Sequence, residues 1–415
     1  MQPQTLIEKP LLTNKIFNTT VILAALGYFV DIYDLMLFGI VRTPSLMALG
    51  YAGEELTTKG FYLLNMQMMG MLLGGIIWGI WGDKKGRLSV LYGSIFIYSV
   101  ANILNGMVDN VQQYALLRFI AGIGLAGELG AGVTLINETM TKERRGYGTM
   151  LIATLGAFGA ITAVLVAKNF SWQIAYYAGG GLGLVLLLMR IGTYESGMFK
   201  KMRAETHGNN NFFKLFTNKK LAGKYLLCIL GGIPIWFILG MLIILSPELS
   251  KTIGVSKPVN AGAAILWVSV GMALGDFASG MLSQYFKNRK KIILAYIIFC
   301  ICVMTTYLYV RNINISVFYF LCVLLGIGSG YWAVYVTMIS EQFGTNIRST
   351  VSTTIPNFVR GMVIPITALY MFLVKEIAAV NAVMLVGSIC MVISLIALLL
   401  LKDTYGKDLD YIEER

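Results

Sequence analysis

The sequence predicts an all-α integral membrane protein, with twelve transmembrane helices in two six-helix pseudo-symmetric halves. Three observations carry this reading: an apolar composition, apolar runs of bilayer-spanning length, and an internal repeat. Of 415 residues, 57% are hydrophobic and 13% charged, with a mean hydropathy of +0.71, whereas soluble chains carry about 25% charged residues. Apolar runs fall near 16–42, 60–81, 89–108, 113–136, 147–167, 171–191, 224–246, 260–284, 291–310, 316–339, 351–373 and 377–401. A helix needs about 20 such residues to cross the hydrocarbon core. The runs are continuously apolar, where a barrel strand would alternate over about 10 residues.

The repeat sets the architecture. "GIG" at 122–124 precedes Glu138, with Arg145 following in "ETMTKERR"; "GIG" at 326–328 precedes Glu341, with Arg348 following in "EQFGTNIR". "GIIWGIWGDKKGR" from Gly75 and "GMLSQYFKNRKK" from Gly280 form a second pair at nearly the same offset, matching Asp83 with Gln284. A direct copy of six spans implies halves related by an axis along the membrane normal, with a site between them near the midplane. The expected units are an N-terminal half at 1–191, a polar basic cytoplasmic linker at 192–223, a C-terminal half at 224–401 and a cytoplasmic tail at 402–415.

Lysine and arginine decide orientation, because cytoplasmic loops collect them. With alternate loops assigned to opposite sides, Arg42, Lys59, Lys168, Lys251, Lys257, Arg311 and Lys375 fall on one side. All the others except Arg118 and Arg360, which lie within spans, fall on the second side. Both termini are therefore expected in the cytoplasm, in a multi-pass protein of a bacterial inner membrane. The net charge of +12 is dispersed over short loops, which argues for topology and against a nucleic-acid partner. The first run continues into Asp31 and Asp34 and reads as an anchor, not a cleaved leader. Cys228, Cys300, Cys302, Cys322 and Cys390 all sit in spans, where thiols act as small apolar groups. The one histidine, His207, lies in the linker. With no His/Cys cluster or nucleophile elbow, no metal, cofactor or enzyme chemistry is expected.

"GDKKGR" at 82–87 and "NETMTKERRG" at 137–146 resemble the two signature cytoplasmic loops of the major facilitator superfamily, and the resemblance covers the whole chain. "FVDIYD" at 29–34 with "GELG" at 127–130 looks most like the metabolite–proton symporters and, more distantly, the sugar porters. Those families usually carry glutamate and tryptophan where this chain has Asp31 and Ile32, and glycine where it has Ala126. The resemblance implies a transporter with acidic groups in the first span and an arginine in the fourth. Its loops imply gating: Asp83 and Arg87, Glu138 with Arg145, and Glu341 with Arg348 are placed to latch one conformation through ion pairs near water.

Buried charge then locates the site, since a charge at the bilayer centre costs at least a few kcal/mol. Counting about 1.5 Å per residue puts Asp31 near the depth of Arg118, so these two are expected to pair. Asp34 is left without a partner and is the more readily protonated of the two. Glu128 lies about 15 Å deeper than Arg118 and reads as a second proton carrier, a cytoplasmic gate, or a structural partner for a neighbouring helix. Arg360, in "TIPNFVRGMVIP", lies near the midplane and is the expected receptor for a carboxylate, whose two oxygens its fork matches. Asp276 is either its partner or part of the second half's gate. Asn357, Tyr28, Gln67, Trp236, Trp332 and Tyr335, together with Asn65 and Tyr33, are candidates to complete the cavity, and Pro234 marks a break in the seventh span. The expected function is proton-coupled transport of an organic acid or amino acid by a monomer through alternating access. The alternative is proton-antiport export of a drug or polycarboxylate.

Overall fold

A computed structural model describes residues 19–85, 87–132, 145–194 and 218–407. Among these, eleven helices are long and apolar enough to cross a membrane, and Ser89–Asn105 forms a shorter apolar helix. The helices are α1 (Thr19–Ala48), α2 (Glu55–Lys85), α3 (Arg87–Asn105), α4 (Val111–Leu125), α5 (Arg145–Asn169) and α6 (Trp172–Tyr194). After the linker region follow α7 (Lys219–Leu230), α8 (Ile233–Phe237), a π-helical turn (Ile238–Ile243), α9 (Ser246–Ile253), α10 (Ala261–Tyr285) and α11 (Arg289–Tyr309). The chain ends with α12 (Ile315–Ser329), α13 (Trp332–Gln342), α14 (Thr345–Gly361), α15 (Val363–Leu373) and α16 (Ala379–Leu400). Most of the expected linker, 192–223, lies outside the described residues.

Asparagine starts five of these helices. Asn110, Asn218, Asn260, Asn288 and Asn314 each accept a hydrogen bond from a first-turn amide, satisfying one of the donors that a helix N-terminus leaves orphaned. The polarity of the bundle is inverted relative to a soluble protein. Leu188, Phe372, Leu400, Phe320 and Leu116 project outward, while Asp31, Asp34, Arg118, Arg360, Glu128 and Asp276 are buried inside. An apolar surface of this extent belongs against lipid.

Close backbone approach holds neighbouring helices together. A Cβ on Gly70 would lie 2.0 Å from the Phe119 carbonyl oxygen, and one on Gly74 would lie 2.5 Å from that of Ile123. The contact recurs about 200 residues on, where Gly271 meets the Val323 carbonyl at 2.1 Å and Gly275 that of Ile327 at 2.4 Å. Small-xxx-small spacing of this kind lets membrane helices touch along their backbones.

Four spans are interrupted near the middle of the bundle. The span beginning with α4 breaks at Ala126–Gly127 and resumes to Gly132. The span beginning with α7 breaks at Gly231–Gly232, with Pro234 in the first turn of α8 and the π-helical turn beyond it. The break thus precedes Pro234 instead of centring on it, because proline is well tolerated in a helix's first turn. The α12–α13 span breaks at Gly330–Tyr331, and the α14–α15 span breaks at Met362. Non-helical backbone at membrane depth is tolerated where protein or a cavity surrounds it.

Candidate functional site

Two of the interrupted spans, those containing α8 and α13, border a cavity together with α1, α5 and α10. Tyr28, Ile32 and Met36 of α1, Trp236 of α8, Leu239 of the π-helical turn, Ser269, Met272 and Asp276 of α10, and Trp332 of α13 line it. A second, almost wholly apolar space adjoins it through shared Met36, Trp236 and Leu239. Contacts join N-terminal and C-terminal helices in two places. At one, Arg42 donates to Glu248 at 3.1 Å and to the Ile244 carbonyl at 3.4 Å, Asn65 accepts from Thr367 at 3.2 Å, and Phe61 packs edge-on to Tyr370. At the other, Gly75 and Gly79 of α2 abut Asn357, Thr354 and Thr350 of α14, and Gly280 abuts Met150.

Asp31 and Asp34 face different partners. Arg360 donates to Asp31 Oδ2 at 3.0 Å, linking α1 to α14, and both side chains are fully buried. Asp34 lies 3.9 Å from Arg118 of α4, whose guanidinium also donates to Gln67 and packs on the rings of Phe38 and Tyr176. The expected Asp31–Arg118 pair is therefore corrected to Asp31–Arg360 and Asp34–Arg118. A three-residue spacing separates the two carboxylates by about 60° around the helix and about 4.5 Å along it. Depth counting misses both differences, because α1 runs to Ala48, beyond the expected end near 42.

The Asp31–Arg360 pair is incompletely satisfied. Asp31 Oδ1 and Arg360 Nε and Nη1 have no hydrogen-bond partner, and neither does either oxygen of Asp34. Arg360 sits in the last turn of α14, where the carbonyl end of a helix favours a cation. Trp236 lies over the guanidinium at 5.5 Å, and the Tyr28 hydroxyl approaches it. Tyr28 and Trp236 thus stand between Arg360 and the cavity. The Trp236 Nε1–H is buried without an acceptor.

Several other expected roles change. Glu128 takes two hydrogen bonds from Arg190 at 2.9 and 3.0 Å and one from Ser94 at 3.1 Å, and Arg190 also reaches the Leu23 carbonyl. Of its expected readings, the structural partner fits this geometry, since the pair ties α1, α3 and α6 to the end of the α4 span. Asp276 does not pair with Arg360; it lines the cavity and accepts the Ala333 amide at 3.1 Å at the start of α13. The short break at Gly330–Tyr331 exposes that helix end to it.

Glu341 and Arg348 form no ion pair. Glu341 is held by Arg289 at 2.7 and 2.8 Å and by Thr404 at 2.8 Å. Arg348 donates to the carbonyls of Ser340 and Phe343, because the chain turns back between α13 and α14 and carries it past the C-terminus of α13. Tyr335 donates to the Cys228 carbonyl and stacks on Trp332, behind the cavity wall. Asn357 spans to the Ala126 carbonyl at 2.8 Å, and Tyr33 donates to the Ala175 carbonyl at 2.9 Å. None of Gln67, Asn357, Tyr335 and Tyr33 lines the cavity, whereas Tyr28, Trp236 and Trp332 do. Glu138 lies outside the described residues, as do the side chains of Asp83, Arg87 and Arg145.

Sequence reasoning assigned Arg190, Arg289 and Arg42 to loops, yet all three are buried. The available signal was position: each directly adjoins an apolar run.

A bundle of many apolar spans with charge buried beside a cavity has a clear counterpart among known families. The description "Major Facilitator Superfamily" matches residues 24–368. The chain belongs to that superfamily. It is 25% identical over 337 residues to a "Probable 4-methylmuconolactone transporter" of Cupriavidus pinatubonensis, covering 78% of this chain and 76% of that protein. It is 26% identical over 344 residues to a cis,cis-muconate transport protein of Acinetobacter baylyi, covering 79% of this chain and 80% of that protein. The solved structure of the proton:xylose symporter XylE shares the fold, with a TM-score of 0.71 at 15% identity, covering 94% of this chain and 97% of that one. The chain is thus a multi-pass membrane transporter and not an enzyme.

Proposed function

We propose that the protein moves a small carboxylate-bearing metabolite, an organic acid or amino acid, together with protons by alternating access. Two six-helix halves, 1–191 and 224–401, would rock about the cavity in a bacterial inner membrane with both termini cytoplasmic. The recurrence of the Gly70/Gly74 approach at Gly271/Gly275 supports the paired halves. Relatives named for muconate and a muconolactone support an organic acid.

The observation that carries the reading is the one-armed Asp31–Arg360 pair beside the cavity. In a dry interior, a guanidinium needs a counter-ion and polar atoms need partners. Protonation of Asp31 neutralises the counter-ion and frees Arg360 for a substrate carboxylate, which restores charge balance and fills Nε and Nη1. The Trp236 Nε1–H offers that carboxylate a further donor. Proton and anion therefore stabilise each other's binding, which is the linkage symport requires. Asp34, with both oxygens open and Arg118 at 3.9 Å, is a second proton acceptor on the same helix.

The test is uptake into vesicles of reconstituted protein, using labelled benzoate, muconate and amino acids with and without a pH gradient. Wild type accumulates an acid only with the gradient. Asp31→Asn keeps substrate binding and exchange but loses gradient-driven accumulation. Accumulation by Asp31→Asn equal to wild type would overturn the coupling.

A further inference from the structure

Among the described residues, Asp276 is the only charged side chain lining either cavity space. Among the described residues no cation pairs with it; its contact is with the first-turn amide of Ala333. Oδ1 is thereby fixed as an acceptor, and each carboxylate oxygen retains lone-pair capacity. Ser269, the remaining hydroxyl on α10 in the wall, spends its hydrogen on the Ile265 carbonyl. Elsewhere in the wall, out of contact with Asp276, stand donors: the unpartnered Trp236 Nε1–H and the Tyr28 hydroxyl, with Arg360 beside them. The rest of the wall is mostly apolar and includes Ile32, Met36, Leu239 and Met272.

We propose that Asp276 selects the second functional group of the substrate: an apolar-bodied monocarboxylate bearing a hydroxyl or ammonium donor at the end remote from its carboxylate. The proposal rests on the carboxylate reading above and narrows it. The substrate carboxylate lies toward Arg360 and Trp236, its body fills the apolar middle, and its donor is accepted by Asp276. A dicarboxylate is rejected, since its second anion would meet Asp276 with no cation to offset the repulsion in a low-dielectric cavity. An acid without the donor leaves a buried acceptor unfilled, a defect that binding sites discriminate against strongly.

Rigid probes test this: benzoate, 4-hydroxybenzoate, 4-(aminomethyl)benzoate and terephthalate, measured as competitors of uptake and by thermal shift of the purified full chain. Wild type is expected to take the hydroxy or aminomethyl acid about tenfold better than benzoate, a ratio equal to roughly 1.4 kcal/mol, and to exclude terephthalate. In Asp276→Asn the ratio falls to about threefold or less and terephthalate begins to compete, as repulsion and the strong acceptor are both removed. The wild-type ranking stands as a test even if the variant does not fold. Equal competition by all four acids, or by terephthalate as well as the hydroxy acid, overturns the proposal and leaves the carboxylate reading intact. Failure of every acid to bind, with uptake of an uncharged solute instead, overturns both.

Discussion

Two buried carboxylate–arginine pairs in this protein differ in how fully they are satisfied. Glu128 accepts three hydrogen bonds, two from Arg190 and one from Ser94. Asp31 accepts one from Arg360 and leaves its second oxygen open. The first pair joins helices within residues 19–194, and the second joins α1 to α14 beside the cavity. An ion pair with its valences filled fixes a packing arrangement, whereas one with open valences in the same dry setting is prepared to exchange partners. Completeness of hydrogen bonding, more than burial, separates the structural pair from the working one.

The comparison breaks most visibly at Glu128. Removing it in Glu128→Ala strands the Arg190 charge among apolar helices, with an expected loss of about 3–5 kcal/mol in stability. Thermal unfolding in detergent reads this as a large fall in midpoint, and an unchanged midpoint would show that the pair is not structural. Arg360→Gln is expected to unfold little but to weaken carboxylate binding by about 2–3 kcal/mol, the worth of charge-assisted hydrogen bonds. Competition binding with benzoate checks this, and undiminished affinity would place the anion elsewhere.

Two smaller effects sharpen the contrast. Tyr335→Phe removes a hydrogen bond to the Cys228 carbonyl and should cost about 1 kcal/mol of stability with no change in substrate KM. A rise in KM would return Tyr335 to the cavity. Glu248→Gln loosens the partly exposed Arg42 latch by about 0.2–1 kcal/mol, raising the labelling rate of a cysteine placed at Gly39 by no more than about fivefold. A tenfold rise would mean that this contact between helices depends on the pair far more than an exposed pair allows.

Much of the fold was legible because lipid imposes a simple rule: long apolar runs become helices, since hydrocarbon offers the backbone no hydrogen-bond partner and a helix satisfies it internally. The runs at 260–284, 291–310 and 377–401 end within a few residues of α10, α11 and α16. Breaks at Ala126–Gly127, Gly231–Gly232, Gly330–Tyr331 and Met362 were less legible. The span with Pro234 and the one with Pro356 and Pro365 carried marked breakers, but the other two carried only glycine, which alone does not stop a membrane helix.

Residue chemistry in the site was partly legible as well. Asp31, Asp34, Arg118, Glu128, Asp276 and Arg360 stand out as charges in apolar runs, and all six are buried. Their partners did not follow. Asp31 and Arg360 are 329 residues apart, and nothing in their local sequence states that α1 and α14 face one another. Glu341 and Arg348 are seven positions apart yet do not pair with each other, since the turn at Phe343–Gly344 redirects the chain.

The sequence by itself determined that this chain lives in a bilayer, that it is helical, that it repeats, and which side chains carry buried charge. Those properties depend on composition and spacing along one dimension. Tertiary structure decided which charge meets which, which aromatic residues wall the cavity, and that Asp276 looks into it. Pairing within a bundle depends on the rotation and tilt of each helix against its neighbours. A difference of about 60° around α1 sends Asp31 to Arg360 and Asp34 to Arg118.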